Sequence, residues 1–329
     1  MDVSLGDLLD SAVPFALPLR RRFRGIDVRE GMLIRGPSGW GEFAPFDDYP
    51  DEAAARWLAS AVESAFGDWP PAQRDRVPVN AIIPEVSSVD AIRLAREAVL
   101  VRGCRTVKVK VGSPDPADDE ARVAGVRDVL DTVLDAGEGA LRVDANGAWT
   151  VAQGRRVLRR LSAYRLEYVE QPCRTAEEML ELRRYVDVPF AADESIRTAA
   201  DPQSVPVGEF ADIAVLKAAP LGGAGALTRL AESLDVPVVV SGSLDSSVGL
   251  SAALAAAAAL SDLPYACGLG TGALLAADLA SPVLPDDGAL PVARTAPDLD
   301  LLLAARDRMS DERATWWRQR LAAAWSVEG

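Results

Sequence analysis

From residue 77 onward the sequence repeats one pattern: a short run dense in Val, Ile, Leu and Ala, then an amphipathic stretch, then another short run. The apolar runs cover residues 77–84, 106–112, 141–146, 166–171, 188–193, 213–217, 237–241 and 265–269. Helical periodicity fills the intervals at 89–101, 120–134, 151–161, 176–185, 224–234 and 248–260. Strands that are apolar along nearly their whole length are buried on both faces, which predicts a parallel sheet covered by helices. Eight such units in about two hundred residues predict a (β/α)8-type barrel rather than a doubly wound sheet.

The flanks break the pattern. Residues 1–76 open Pro- and Arg-rich, suggest a hairpin or small meander around 31–43, and continue as a helix over 51–66. Residues 284–329 hold a Pro/Asp-rich run and an Arg-rich terminal helix. The expected organisation is a barrel over 77–283 and a small second unit beside its mouth, built from both ends, 1–76 and 284–329. Composition removes several alternatives. A net charge of −14 disfavours nucleic acid and anionic membranes as partners. The apolar run at 248–260 is too short to span a bilayer, and Met1-Asp2-Val3-Ser4 lacks a signal-peptide pattern. The three cysteines, Cys104, Cys173 and Cys267, are scattered, so a reducing, cytoplasmic location is expected. Histidine is absent. That excludes His-based triads, His general bases and imidazole metal sites.

Only three of the 35 basic residues are lysines: Lys108, Lys110 and Lys217. Arginine keeps its proton in a protein, whereas lysine can release it, so a lysine in an arginine-rich chain marks a place where arginine would fail. Lys108 and Lys110 alternate with Val107, Val109 and Val111, which points both lysines into the barrel. Asp144, Glu170, Asp193 and Lys217 then close the next four strands in turn. Barrel active sites are built at these C-terminal strand ends. Converging carboxylates repel one another, and a divalent cation relieves the repulsion; ligands that are all oxygen select a hard ion such as Mg2+. Strand-end acids can also cap helices or pair with lysines structurally. Finding every lysine of the chain among them favours a reacting site.

Lys-Val-Lys at 108–110, Asp-Ala-Asn-Gly at 144–147, Glu-Gln-Pro at 170–172, Asp-Glu-Ser at 193–195 and the lone Lys217 together resemble the enolase superfamily, and within it the muconate lactonising subgroup. Gly41-Glu42-Phe43-Ala44-Pro45 resembles that family's mobile cap loop. The resemblance implies an α+β capping domain, built from both termini, on a modified (β/α)8 barrel, and Mg2+, with Mn2+ as a substitute, bound by Asp144, Glu170 and Asp193. It also implies that Lys110 removes a proton alpha to a carboxylate, giving an enediolate held by the metal. Lys108 would act as a neighbouring cation, and Lys217 as a second base or a fixed cation.

Within the subgroup the short chain most resembles the o-succinylbenzoate synthase family. That likeness implies dehydration of 2-succinyl-6-hydroxy-2,4-cyclohexadiene-1-carboxylate to 2-succinylbenzoate, a step of menaquinone biosynthesis. N-succinylamino acid racemase, cycloisomerase or epimerase chemistry is the alternative, and a non-catalytic anion-binding barrel a more distant one. Dipeptide epimerases of the subgroup resemble one another in an Asp-x-Asp on the eighth strand that holds the substrate amine; the run 266–272 carries no acid, so that likeness fails and an ammonium substrate is disfavoured. Asn146, Gly222, Ser241, Gly242 and Ser243 are the expected substrate contacts, their amides and hydroxyls suited to a carboxylate tail. The partner is thus a small carboxylate, with no obligate protein partner. Three features read as bland: a relaxed dinucleotide fingerprint from Gly268, an arginine cluster at 20–24 on a solvated face, and Cys173 as a small filler. Glu194 is expected to point away from Asp193 along a strand.

Overall fold

The computed structural model describes residues 3–23 and 25–328; Met1, Asp2 and Arg24, the last of the basic cluster, lie outside the described residues, as does Gly329. A short helix, α1 (Leu5–Ser11), leads into an antiparallel meander of β1 (Ala12–Phe23), β2 (Ile26–Gly36) and β3 (Gly39–Phe43). The meander is larger than the sequence suggests, because Pro14 and Pro18 argue against a strand where β1 runs. β1 lies at the sheet edge and pairs with β2 from Ala12↔Ile34 to Pro18↔Val28, a position where proline is tolerated. Helix α2 (Asp51–Phe66) packs directly on β3: a Cβ on Gly41 would stand 1.9 Å from the Ala61 carbonyl oxygen. Residues 41–43 therefore correct one expectation. They form a buried strand rather than a mobile loop.

The first expected barrel strand divides into β4 (Arg76–Pro78) and β5 (Ala81–Ile83). There follow α3 (Ser88–Leu100), β6 (Thr106–Lys110), α4 (Pro116–Val133), β7 (Ala140–Asp144), α5 (Val151–Leu161) and β8 (Leu166–Glu170). Next come α6 (Ala176–Arg183), β9 (Phe190–Ala192), the short α7 (Glu194–Arg197) and α8 (Val207–Phe210), and β10 (Ile213–Leu216). Helices α9 (Ala218–Leu221) and α10 (Ala224–Ser233), strand β11 (Val238–Val240) and α11 (Leu250–Ala259) complete the repeat. Strands β5 to β11 form one parallel sheet in chain order. The expected eighth strand, 265–269, has no regular ladder. Single parallel bridges, Cys267 to Val79 and Gly268 to Ser241, close the curled sheet instead. Glycine is needed at this seam, since a Cβ on Gly268 would lie 2.6 Å from Ser241 Oγ and one on Gly270 2.7 Å from the Asn80 carbonyl. Close packing, not a dinucleotide, accounts for that run.

The chain returns through β12 (Ala289–Pro291), which pairs antiparallel with β4, and then α12 (Leu299–Arg306) and α13 (Asp311–Glu328), two helices where the sequence suggests one. Trp317, Leu321 and Ala324 of α13 share a core with Leu8, Met32 and Trp57. In the barrel, Val107 and Val109 pack outward with Val123, Val126 and Leu130 of α4, while Tyr168, Ile213, Val215 and Val239 fill the floor. The alternation leaves Lys108 and Lys110 pointing inward. Among the described residues no helix is long and apolar enough to cross a membrane.

Candidate active site

The parallel register sets Lys110 beside Asp144 and Asp144 beside Glu170, so strand-end side chains from β6, β7 and β8 meet without any loop rearrangement. Asp193 follows β9 and Lys217 follows β10, on the far side of the same cleft. Lys108 Nζ donates to both Glu170 oxygens at 2.8 Å and lies 3.3 Å from Asp144 Oδ2. Lys110 Nζ donates to Asp144 Oδ2 at 2.5 Å and to Asn146 Oδ1 at 2.7 Å. Lys217 Nζ donates to Asp193 Oδ2, while Arg197 Nε donates to Asp193 Oδ1 at 2.9 Å. All three lysines and all three expected acids thus line one cleft.

Burial makes these charges consequential. Asp144, Glu170 and Asp193 are each 1% exposed. Burial, followed by the neighbouring Asp144 carboxylate, pushes the Glu170 carboxyl up to about 7. Burial also works against the Asp144 charge, but the Lys110 and Lys108 ammonium groups override it and hold that carboxyl well below the usual range. Lys217 and Arg197 do the same for Asp193. For Lys108, Glu170 and Asp144 outweigh burial and keep its proton firmly bound. Lys217 goes the other way: burial lowers its hold on a proton, with Asp193 opposing. As they stand, the acids face ammonium and guanidinium groups, and among the described residues no three metal-binding side chains converge on one point. The donor chemistry nonetheless fits a hard divalent ion. Glu170 is a buried carboxyl crowded by a second one, and the three acids offer oxygen donors alone.

The rim carries residues that the sequence does not single out. Phe23, at the end of β1, reaches over the cleft, its ring centroid 5.5 Å from Lys110 Nζ; Ile82, Leu244 and Thr271 also line it. Their signal lies in the cap–barrel arrangement, which one strand's pattern cannot carry. Glu194 corrects the reading that it points away along a strand: it begins α7, and its Oε1 accepts from Asn146 Nδ2 at 3.2 Å and from Arg197. Gln171 Oε1 accepts from the Asp193 amide at 3.0 Å, which fixes the start of that turn. Ser241, Gly242, Ser243 and Asn146 line the cleft. Gly222 is not brought into that lining. The helix amides that follow it are already used, since Ala224 and Gly225 donate to Glu63 of α2 at 2.6 and 2.9 Å. Cys173 is fully buried, and burial pushes its thiol up to about 12, in keeping with a filler.

Behind Ser241 and Ser243 the barrel meets the cap. Glu42 of β3 accepts from the Ser246 amide at 3.2 Å and from the Ser246 hydroxyl. Burial, then the Asp245 carboxylate, pushes the Glu42 carboxyl up to about 7.

Comparison with known proteins places the chain in a family. A family described as Enolase C-terminal domain-like matches residues 90–317, and one described as Enolase N-terminal domain-like matches residues 14–65. The o-succinylbenzoate synthase of Mycobacterium tuberculosis (strain ATCC 25618 / H37Rv) is 50% identical over 323 residues, spanning 97% of this chain and 95% of that protein. The o-succinylbenzoate synthase of Mycobacterium ulcerans (strain Agy99) is 49% identical over 330 residues, spanning 98% and 96%. Among solved structures, the muconate lactonizing enzyme of Pseudomonas fluorescens, complexed with muconolactone, superposes with a TM-score of 0.76 at 22% identity, covering 90% of this chain and 97% of that one. The muconate lactonizing enzyme of Pseudomonas putida gives 0.72 at 21% identity, covering 89% and 98%. At such identities the structures share the fold, a modified barrel with an N-terminal cap.

Proposed function

The chain belongs to the enolase superfamily, and from that premise we propose that it works as an o-succinylbenzoate synthase, removing water from 2-succinyl-6-hydroxy-2,4-cyclohexadiene-1-carboxylate to leave aromatic 2-succinylbenzoate. One observation carries the mechanism: the only three lysines of the chain stand with three buried carboxylates in a single cleft.

Asp144, Glu170 and Asp193 would hold Mg2+, or Mn2+ in its place. When bound, the ion supplies fixed positive charge beside the substrate carboxylate. The lysines divide the remaining work. Lys108, its proton held by Glu170 and Asp144, serves as a fixed cation. Lys110 takes the proton alpha to the carboxylate. As the C–O bond breaks, the same nitrogen returns a proton to the departing hydroxyl, so water leaves and no other reactant is consumed. Lys217 stands four strands away in sheet order, on the opposite side of the mouth. In this reading it supports the anion that forms while the proton is held elsewhere. Asn146 steadies Lys110, and the Ser241–Ser243 turn offers donors to the succinyl carboxylate.

The test is a direct comparison. Purified protein is assayed with the cyclohexadiene carboxylate and with N-succinylamino acids. The first should be converted with the larger kcat/KM. A ratio favouring racemisation would move the assignment to the racemase, whose two-base chemistry Lys110 and Lys217 could also serve; no turnover of either would leave an anion-binding barrel.

A further inference from the structure

Tyr49 belongs to the cap. Its ring packs edge-on against Phe46 and Trp57 at centroid distances of 6.0 and 6.2 Å, and its carbonyl accepts from Arg320 of α13 at 2.6 Å. Its hydroxyl reaches across to the barrel and accepts from Arg197 Nη1. The Arg197 side chain is 3% exposed, and its fork is spent in three directions: Nη1 to Tyr49, Nε to Asp193 and Nη2 to Glu194. Both acids lead on to lysines. Asp193 accepts from Lys217 through its other oxygen. Glu194 Oε1 accepts from Asn146 Nδ2, and Asn146 Oδ1 accepts from Lys110 Nζ at 2.7 Å. Polar contacts therefore run unbroken from the cap to both lysines that flank the cleft, and Arg197 is the point where the two branches part.

We propose that Arg197 is a positioning residue and Tyr49 its contact to the cap, so that docking of the cap sets Asp193 on one side of the cleft and the Asn146–Lys110 pair on the other. The chemistry favours arginine at this point. A buried carboxylate beside a partly buried one needs a cation, and only a planar guanidinium can serve Asp193, Glu194 and a phenol at once with fixed angles; an ammonium is a point charge with no such fork. Tyr49 adds what the barrel alone lacks, an acceptor that arrives only when the cap is seated. The inference rests on the reaction assigned above for its kinetic arm, and on Asp193 as an ion ligand for its binding arm.

Two substitutions and two readouts test it. Arg197→Lys keeps the charge and loses the fork, while Tyr49→Phe removes one oxygen from a ring that stays packed. Residues that orient metal ligands typically change affinity or activity by about 10- to 100-fold. Arg197→Lys should accordingly lower kcat by about 100-fold and weaken Mg2+ binding, measured by calorimetry without substrate, by about 10-fold. Tyr49→Phe should move both quantities in the same direction by about 3- to 10-fold, with KM nearly unchanged. A lowered melting temperature with wild-type kcat and Mg2+ affinity would overturn the proposal, since a structural contact alone gives that result. If Arg197→Lys does not fold, Tyr49→Phe and Glu194→Gln decide on the same two readouts. If the wild-type protein does not turn over the cyclohexadiene carboxylate, the functional reading fails, and Mg2+ affinity decides alone: weakened in Tyr49→Phe it upholds the coupling, unchanged it overturns it.

Discussion

Arginine and lysine are interchangeable over most of a protein surface, and this chain has settled that choice everywhere except in the cleft. The consequence is testable one residue at a time. Lys110→Arg retains charge and length but cannot act as a base, so it should be as damaging as Lys110→Ala, with kcat lower by about 10²–10⁴-fold and an unchanged melting curve. Lys110→Arg activity within about threefold of wild type would remove Lys110 from the role of base. The acids give a second prediction. Glu170→Gln should leave the protein folded and nearly inactive, and chelation of the wild type should abolish turnover until Mg2+ is returned. Adding Mg2+ at about 100 times its dissociation constant should stabilise the wild type by about 2.7 kcal/mol, seen as a higher melting temperature, and should do little for Glu170→Gln. Full activity in excess chelator after dialysis would end the metal assignment. These six side chains are legible in the sequence, because a strand's period of two fixes which way Lys108 and Lys110 point and the β/α spacing places the rest. Arg197, Tyr49 and Phe23 are not. Tyr49 and Phe23 acquire their places only when segments far apart in sequence meet, and Arg197, which pairs locally with Asp193 and Glu194, gains its third contact only when Tyr49 arrives from the cap.

At the scale of elements, the same contrast separates the barrel repeat from its seam and its cover. Strands β5 to β11 follow from apolar runs, whereas the reduction of 265–269 to single bridges follows from how a closing sheet spaces its last neighbours. The proline-bearing β1 was hidden for a related reason, since its place at the edge of the meander makes Pro14 and Pro18 acceptable, the Pro18 carbonyl still accepting from the Ala276 amide. Where β3 meets the loop after β11, Glu42 faces Ser246, Asp245 and Arg29, with Lys217 lending a weaker field to Asp245. The Glu42 carboxyl is pushed up to about 7, so the folded state binds its proton more tightly than the unfolded chain does. Its contribution to stability is therefore full at low pH and is lost as pH rises from about 4.5 towards 7, on the order of 2–3 kcal/mol. Glu42→Gln keeps an acceptor for Ser246 and removes the titration. Urea midpoints taken between about pH 5 and pH 8 should fall less in the variant than in the wild type. Parallel curves would show that Glu42 titrates alike in both states.

On the scale of the molecule, the cap is a single core assembled from distant stretches of chain. Trp317 of α13 is 1% exposed and meets the ring of Phe43 edge-on at 6.0 Å. Trp317→Ala should cost about 3–5 kcal/mol of stability, measured by urea unfolding, because the meander and α2 cannot close around the gap. A loss below about 1 kcal/mol would mean that α13 merely rests on the cap. There is also a consequence for biosynthesis. A growing chain acquires its domains from the N-terminus onward, so β1 to β3 and α2 emerge from the ribosome long before the helix that covers them. Until α13 is translated, Met32 and Trp57 lack their lid and Tyr49 lacks Arg320. A transcript cut short before α13 would encode all three lysines and all three acids, yet yield a product with an open cap and an exposed apolar face, fit for a chaperone or a protease. The order of translation thereby makes completion of the chain a precondition for a finished cleft.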